Sequence, residues 1–154
     1  MIFTNKEIGL SIVIKQDLLG NIIDIGKEYY PDEFGGFLIG NYSKDFKRLN
    51  ITDVLLPIKY KATKLMFERE NEGIHKTLEY YYSQEPKKFY VGEWHTHPDN
   101  KAIPSMTDVS TLIQITNSEN LSINHPILLI VGYDNGYIET CFYIFFKGKL
   151  YRYE

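Results

Sequence analysis

The sequence predicts an α/β or α+β domain in which helices flank a mixed β-sheet, and three observations carry that prediction. Stretches with strand-like alternation and stretches with helical spacing succeed one another along the chain. Pro126 to Tyr133 and Tyr137 to Phe146 are long β patterns joined by Asp134-Asn135-Gly136, the turn chemistry of a hairpin, and Gly148 marks a second tight turn into Leu150 to Tyr153. Between Lys88 and Thr116 run a strand, a proline-bounded polar loop and a helix with its own start signal. At 154 residues the chain has the ordinary size of one domain, so residues 1–154 are expected to share a single core.

In chain order, Ile8 to Ile14 reads as a first strand. Asp17 to Tyr30 places Leu18, Leu19, Ile22, Ile23, Ile25 and Tyr29 at mostly helical spacing, weakened by Gly20 and Gly26, and Pro31 stops it. Gly36 to Tyr42 and Leu49 to Leu56 read as strands, the second ended by Pro57. Lys59 to Lys64 is polar and reads as a loop. Most of Met66 to Tyr82 reads as a helix, with Glu68, Glu70 and Glu72 early, Ile74, Leu78, Tyr81 and Tyr82 later, and Gly73 as a weak point. His75 within it reads as an ordinary surface or half-buried histidine, and His125 before Pro126 as a loop residue. Ser105 to Thr116 is the next helix, with Val109, Leu112, Ile113 and Thr116 as its inner stripe.

Composition narrows the function classes. Lys plus Arg is 17 against 20 for Asp plus Glu, a net charge of −3, and no basic cluster exceeds Lys87-Lys88, so nucleic acid is not an expected partner. Cys141 is the single cysteine, which excludes an intramolecular disulfide and a cysteine-cluster metal site; in an apolar strand pattern it reads as a small core residue. The first residues, Met1 to Glu7, lack a basic stretch followed by an apolar one, and no run approaches a membrane span. A soluble, cytoplasmic protein is expected.

The chemistry concentrates in residues 93–108. If Phe89 to His97 is extended, His95 and His97 project to the same face with Cα atoms roughly 6.5–7 Å apart, close enough for two imidazoles to share one ion. Pro98 ends the strand, a short polar loop follows, and Pro104-Ser105 opens a helix with Asp108 in its first turn. Two imidazoles and a carboxylate suit zinc, and three protein ligands leave a fourth tetrahedral position open, the mark of a catalytic rather than a structural site. Ser105 with Asp108 three residues on is equally a capping-box pattern that serves the helix start.

His95-Thr96-His97-Pro98, six residues, Ser105, two residues and Asp108 resemble the JAMM motif of the JAB/MPN-domain metalloproteases: His-x-His-Pro, a gap, then Ser-x-x-Asp. The upstream family glutamate is matched by Glu33, before Phe34-Gly35-Gly36-Phe37-Leu38-Ile39-Gly40. The resemblance implies a curved mixed sheet of cytidine-deaminase-like architecture. A zinc deaminase itself is disfavoured, because that chemistry uses a Pro-Cys-x-x-Cys pair and one cysteine is present. Phe67-Glu68-Arg69 and Tyr90-Val91-Gly92-Glu93-Trp94 resemble the prokaryotic JAB peptidases of ubiquitin-like conjugation operons, in particular the deconjugating peptidases of type II CBASS anti-phage systems. Sulfur-carrier-processing JAMM peptidases and metal-free MPN scaffolds are the alternative readings.

By that resemblance one zinc ion per chain is held by His95, His97 and Asp108. Glu33 is the general base that takes a proton from water and delivers it to the leaving amine, and Glu93, on the face of the histidines, is its rival or a supporting partner. Ser105 donates to the developing oxyanion. Gly35 and Gly36 offer close backbone approach for substrate, or simply turn chemistry. Trp94 faces the core. The implied reaction is hydrolysis of an amide or isopeptide bond at the C-terminal tail of a ubiquitin-like or CD-NTase-type protein. The short segments 99–104 and 117–125 leave little room for large insertions, so recognition is expected to centre on that tail.

Overall fold

The computed structural model describes residues 1–119, 123 and 125–154. Strands β1 (Ile2–Asn5) and β2 (Leu10–Ile14) form a hairpin, and helix α1 (Gln16–Glu28) follows. Next come β3 (Gly35–Tyr42), β4 (Arg48–Leu55), a small hairpin of β5 (Tyr60–Thr63) and β6 (Met66–Arg69), and α2 (His75–Tyr82). Then β7 (Phe89–Pro98), α3 (Met106–Thr116) and the meander β8 (Ile127–Asp134), β9 (Tyr137–Phe146) and β10 (Lys149–Arg152) complete the chain.

Eight strands make one mixed sheet in the order β1-β2-β4-β3-β7-β8-β9-β10. The β2–β4 and β7–β8 pairs are parallel and the rest antiparallel. A parallel pair needs a crossover, which α3 supplies between β7 and β8. The sheet curves until its edges nearly meet: Thr4 donates to the Glu154 carbonyl at 2.6 Å and accepts from the Glu154 N–H at 2.8 Å. Curvature thus covers edges that would otherwise be open to strand pairing.

Alternation along the strands sorts side chains into two clusters. Ile12, Ile22, Leu38, Trp94, Leu129 and Phe142 belong to the larger one, to which α1 contributes Leu19 and Ile22. On the opposite face Leu112 of α3 packs with Ala102, Leu128, Ile130, Cys141 and Tyr143. Cys141 is therefore a core residue, as its apolar strand pattern implies. Leu112 is the one fully buried residue of α3; Val109, Ile113 and Thr116 of the expected inner stripe are half-buried.

Two expectations need correction. The expected loop from Lys59 to Lys64 and the start of the expected helix from Met66 are the β5–β6 hairpin, and the helix begins only at His75. The reason is visible in burial: Phe67 and Arg69 turn inward while Met66, Glu68 and Glu70 face solvent, a period of two that the acidic residues disguise as a helix start. Phe67 packs edge-on against Phe34, and Gly73 takes a left-handed φ of 81° that breaks the chain before α2. The expected strand from Ile8 to Ile14 begins only at Leu10, because Ile8 lies in the turn after β1, a strand that the expectation leaves out. Asn135 and Gly136, and likewise Lys147 and Gly148, have positive φ in their two-residue turns, as tight hairpins require. The expected short segment 117–125 lies partly outside the described residues. No helix among the described residues is long and apolar enough to cross a membrane.

Candidate metal centre

At the C-terminal end of β7, His95 and His97 turn to one face with their Nε2 atoms 3.0 Å apart. Asp108, in the first turn of α3, brings Oδ1 to 3.2 Å from His95 Nε2 and Oδ2 to 3.3 Å from His97 Nε2. Zinc bonds of 2.0–2.1 Å in a tetrahedron put neighbouring ligand atoms about 3.3 Å apart. The three groups converge at nearly that spacing, so His95, His97 and Asp108 could hold a metal ion.

Local structure holds each of them. His97 Nδ1 lies 3.1 Å from the Lys101 carbonyl oxygen, so the ring donates there and turns the Nε2 lone pair toward the site. Ser105 and Asp108 form a complete capping box: the Ser105 N–H donates to Asp108 Oδ2 at 2.6 Å, and the Asp108 N–H donates to Ser105 Oγ at 3.1 Å. The capping reading and the ligand reading of Asp108 therefore hold together. Ser105 Oγ accepts in the box, and its own proton stays available for donation. Burial pushes the Asp108 carboxyl up, but hydrogen bonds from His95 and His97 outweigh it and hold the group far below the usual carboxylate range. Burial pushes His97 down, and the Asp108 and Lys101 hydrogen bonds overcome it, leaving the imidazole raised.

Glu33 is brought near the site by the bonds that tie the start of β3 to β7. Gly35 pairs with His95. One residue back, the Thr96 N–H donates to the Phe34 carbonyl at 2.8 Å, and the Phe34 N–H donates to Thr96 Oγ1 at 2.9 Å. Glu33 is the residue before Phe34 and so follows directly on this pair of bonds to β7. Its own N–H is held by the Thr63 carbonyl of β5 at 2.8 Å. Burial raises the Glu33 carboxyl, while His95 and His97 draw it down and Asp108 pushes it up, so the carboxylate lies within the field of all three groups.

The two glycines part company. Gly35 lies against the His95 backbone, where a Cβ would fall 2.9 Å from His95 Cα. Gly36 faces the other way, where a Cβ would fall 2.7 Å from the Leu55 carbonyl oxygen and 3.1 Å from Trp94 Nε1. Its close approach is thus to β4 and the core. Trp94, 1 % exposed, is the core residue that its position in the strand implies.

Glu93 does lie on the histidine face, but its carboxylate is engaged elsewhere: it pairs with Arg69 of β6 and accepts from the Tyr90 hydroxyl at 3.0 Å. The Arg69 guanidinium also lies over the Phe37 ring, 5.2 Å from its centroid. Arg69 and Glu93 line a groove of about 320 Å³ that starts at His95 and Asp108 and runs between β6 and α3. His75 is exposed on α2, away from the three converging groups, and His125 packs edge-on against Phe146. Sequence reasoning missed Arg69, because β6 was taken as a helix, and Thr96, whose hydroxyl replaces a ladder acceptor and leaves no pattern of its own.

Comparison with known proteins identifies the fold and the family. The solution structure of a protein from Desulfitobacterium hafniense has the same fold with a TM-score of 0.63 at 14 % identity, over 92 % of this chain and 88 % of that one. A protein of Enterobacter hormaechei subsp. hoffmannii named CD-NTase/cGAS isopeptidase is 27 % identical over 133 residues, 86 % of this chain and 73 % of the relative. The family described as prokaryotic homologs of the JAB domain matches residues 15–143, a span that holds Glu33, both histidines, Ser105 and Asp108. With that match over most of its length, the chain belongs to the prokaryotic JAB-domain family.

Proposed function

We propose that the protein, acting as one domain over residues 1–154, is a zinc-dependent isopeptidase. It cuts after the C-terminal residue of a ubiquitin-like or CD-NTase-type protein joined to an amine, in a bacterial anti-phage conjugation system. The observation that carries the reading is the convergence of His95, His97 and Asp108 at ligand spacing, with the Glu33 carboxylate within the field of all three. The relative's name, CD-NTase/cGAS isopeptidase, supports the substrate class.

His95, His97 and Asp108 would hold a zinc ion, which would supply polarisation of the scissile carbonyl and a lowered pKa, toward ~7, for the attacking water. Glu33 takes the proton that water loses as its oxygen bonds to the carbonyl carbon. It then hands that proton to the nitrogen as the carbon–nitrogen bond breaks, so the products are a free carboxylate and a free amine. Its raised carboxyl suits a base working near neutral pH. Ser105 donates its free O–H to the oxygen on which negative charge develops. Gly35, where a Cβ would strike the Trp94 carbonyl oxygen and the His95 backbone, lets β3 lie close against the strand that bears the histidines.

The substrate tail lies in the groove between β6 and α3. β6 pairs only with β5 among the described residues, so its other edge can accept an extended tail as a third strand. Main-chain hydrogen bonds then supply affinity, and the groove selects among side chains. Mass spectrometry of a fusion joining a CD-NTase-type tail to a downstream peptide tests this. A single cut at the junction is expected; cuts scattered along unstructured proteins would make the protein a general peptidase.

A further inference from the structure

We infer that Glu139 and Tyr143 are positioning residues for the metal centre, acting on His97 through one peptide group of the loop between β7 and α3; the inference rests on the metal reading above. His97 pairs with Gly132 of β8, and Gly132 with Glu139 of β9, so the three residues form one row across three strands. The middle position carries no side chain. The loop lies on it so closely that a Cβ there would come 2.7 Å from the Asn100 carbonyl oxygen and from the Lys101 carbonyl carbon. Gly132 thus lets the peptide group between Lys101 and Ala102 span the gap between His97 and Glu139.

That peptide group is bound at both ends. Its carbonyl oxygen, on Lys101, lies 3.1 Å from His97 Nδ1. Its N–H, on Ala102, donates to Glu139 Oε2 at 3.3 Å. In a planar trans peptide the C=O and N–H point in opposite directions, so fixing one fixes the other. Tyr143, two pleats along β9 from Glu139 and almost fully buried, donates to the next carbonyl, that of Ala102, at 2.6 Å. Ala102 itself is wholly buried. Arg152 of β10 holds the second oxygen of Glu139 at 3.3 Å.

The consequence is chemical as well as steric. A carboxylate accepting from the N–H end of an amide polarises it and makes its oxygen a better acceptor. Metal-binding histidines are commonly oriented by a carboxylate or a carbonyl on the far ring nitrogen. Here the carboxylate of Glu139 acts through an intervening peptide, holding the proton on His97 Nδ1 and the lone pair on Nε2. Tyr143 keeps that peptide from turning.

Zinc affinity measured by chelator competition on the full chain, beside melting of the metal-free chain, tests the inference. Loss of an outer-shell partner costs 10–100-fold in metal affinity. Glu139→Ala is expected to weaken zinc binding by about 10-fold, the low end because a peptide intervenes, and Tyr143→Phe by a few-fold. Glu139→Gln, which keeps an acceptor oxygen but no charge, should fall between Glu139→Ala and the parent. Tyr42→Phe removes a like bond to the His125 carbonyl far from the loop and is expected to keep parental affinity. In the metal-free chain, at a pH above the raised His97 value where the ring is neutral, imidazole nitrogen shifts of His97 should report one tautomer in the parent and a mixture in Glu139→Ala. Parental affinity and a single tautomer in both Glu139→Ala and Tyr143→Phe would overturn the inference. A parent that binds no zinc would instead overturn the metal reading itself.

Discussion

Thr96→Val tests how Glu33 is brought to the site. Thr96 is fully buried between His95 and His97, and its hydroxyl accepts the Phe34 N–H at 2.9 Å, one residue from Glu33. Valine keeps the shape and the β propensity but has no acceptor, so a buried backbone N–H is left unpaired. That costs about 1–3 kcal/mol. For a domain of this size each 1 kcal/mol moves the melting point by about 2–4 °C, so Tm should fall by about 2–12 °C. The catalytic loss should exceed what stability alone produces, because the segment released is the one that aligns Glu33, and a base displaced by about 1 Å costs on the order of 10²-fold. Melting of the metal-free chain and turnover of a junction substrate at saturating zinc, measured well below Tm, read the two effects separately. Thr96→Ser keeps the hydroxyl and should retain most of the turnover while losing some stability. A Thr96→Val protein with parental Tm and parental turnover would refute the register argument.

Glu33→Gln should leave fold and zinc content intact and reduce turnover by at least ~10²-fold, since proton transfer is removed while binding stays. Glu93→Gln should do less to the chemical step, because its carboxylate already serves Arg69 and Tyr90; an inactive Glu93→Gln beside a fully active Glu33→Gln would reverse the two roles. One zinc per chain is expected by metal analysis of protein purified without chelator, and His97→Ala retaining full zinc would refute the ligand assignment. In the metal-free chain Asp108 is depressed and His97 raised. The contribution of Asp108 is present above its unfolded value near ~3.9 and lost as acid protonates the folded carboxyl, whereas that of His97 is full below ~6.5 and lost as pH rises through the folded value. Thermal melts should therefore find the gain in Tm from added zinc larger at pH 8 than at pH 5.5, since metal must displace the His97 proton in acid; a gain independent of pH would contradict this.

What could be read from the chain depended on how local the signal was. His95 and His97 share a face because they are two residues apart on a strand, and Asp108 is three residues from the serine that caps its helix, so both halves of the centre are visible in short windows. The two hairpins of the meander announced themselves through Asn135-Gly136 and Lys147-Gly148. The β5–β6 hairpin did not, because alternating glutamates on its exposed face imitate the acidic first turn of a helix while Phe67 and Arg69 supply the real period. The bonds that tie Phe34, next to Glu33, to Thr96 and the row His97, Gly132, Glu139 are matters of pairing between distant segments. No periodicity within a segment encodes them.

The same distinction explains why the capping and catalytic readings of Ser105 and Asp108 need not compete. A capping box uses one carboxylate oxygen and the lone pairs of one hydroxyl to satisfy helix-end N–H groups. Asp108 meets that demand through Oδ2 and still places both oxygens within 3.3 Å of a histidine Nε2. Ser105 meets it as an acceptor and keeps its proton. The local requirement of starting α3 therefore pre-orients the carboxylate before any ion arrives, and the β7–α3–β8 crossover carries that helix start to the end of the strand bearing the histidines. With Asp108 in the first turn, the start of the helix and the convergence with His95 and His97 depend on the same atoms. A substitution at Asp108 consequently acts on both at once, whereas one at Glu33, which caps nothing, separates chemistry from folding.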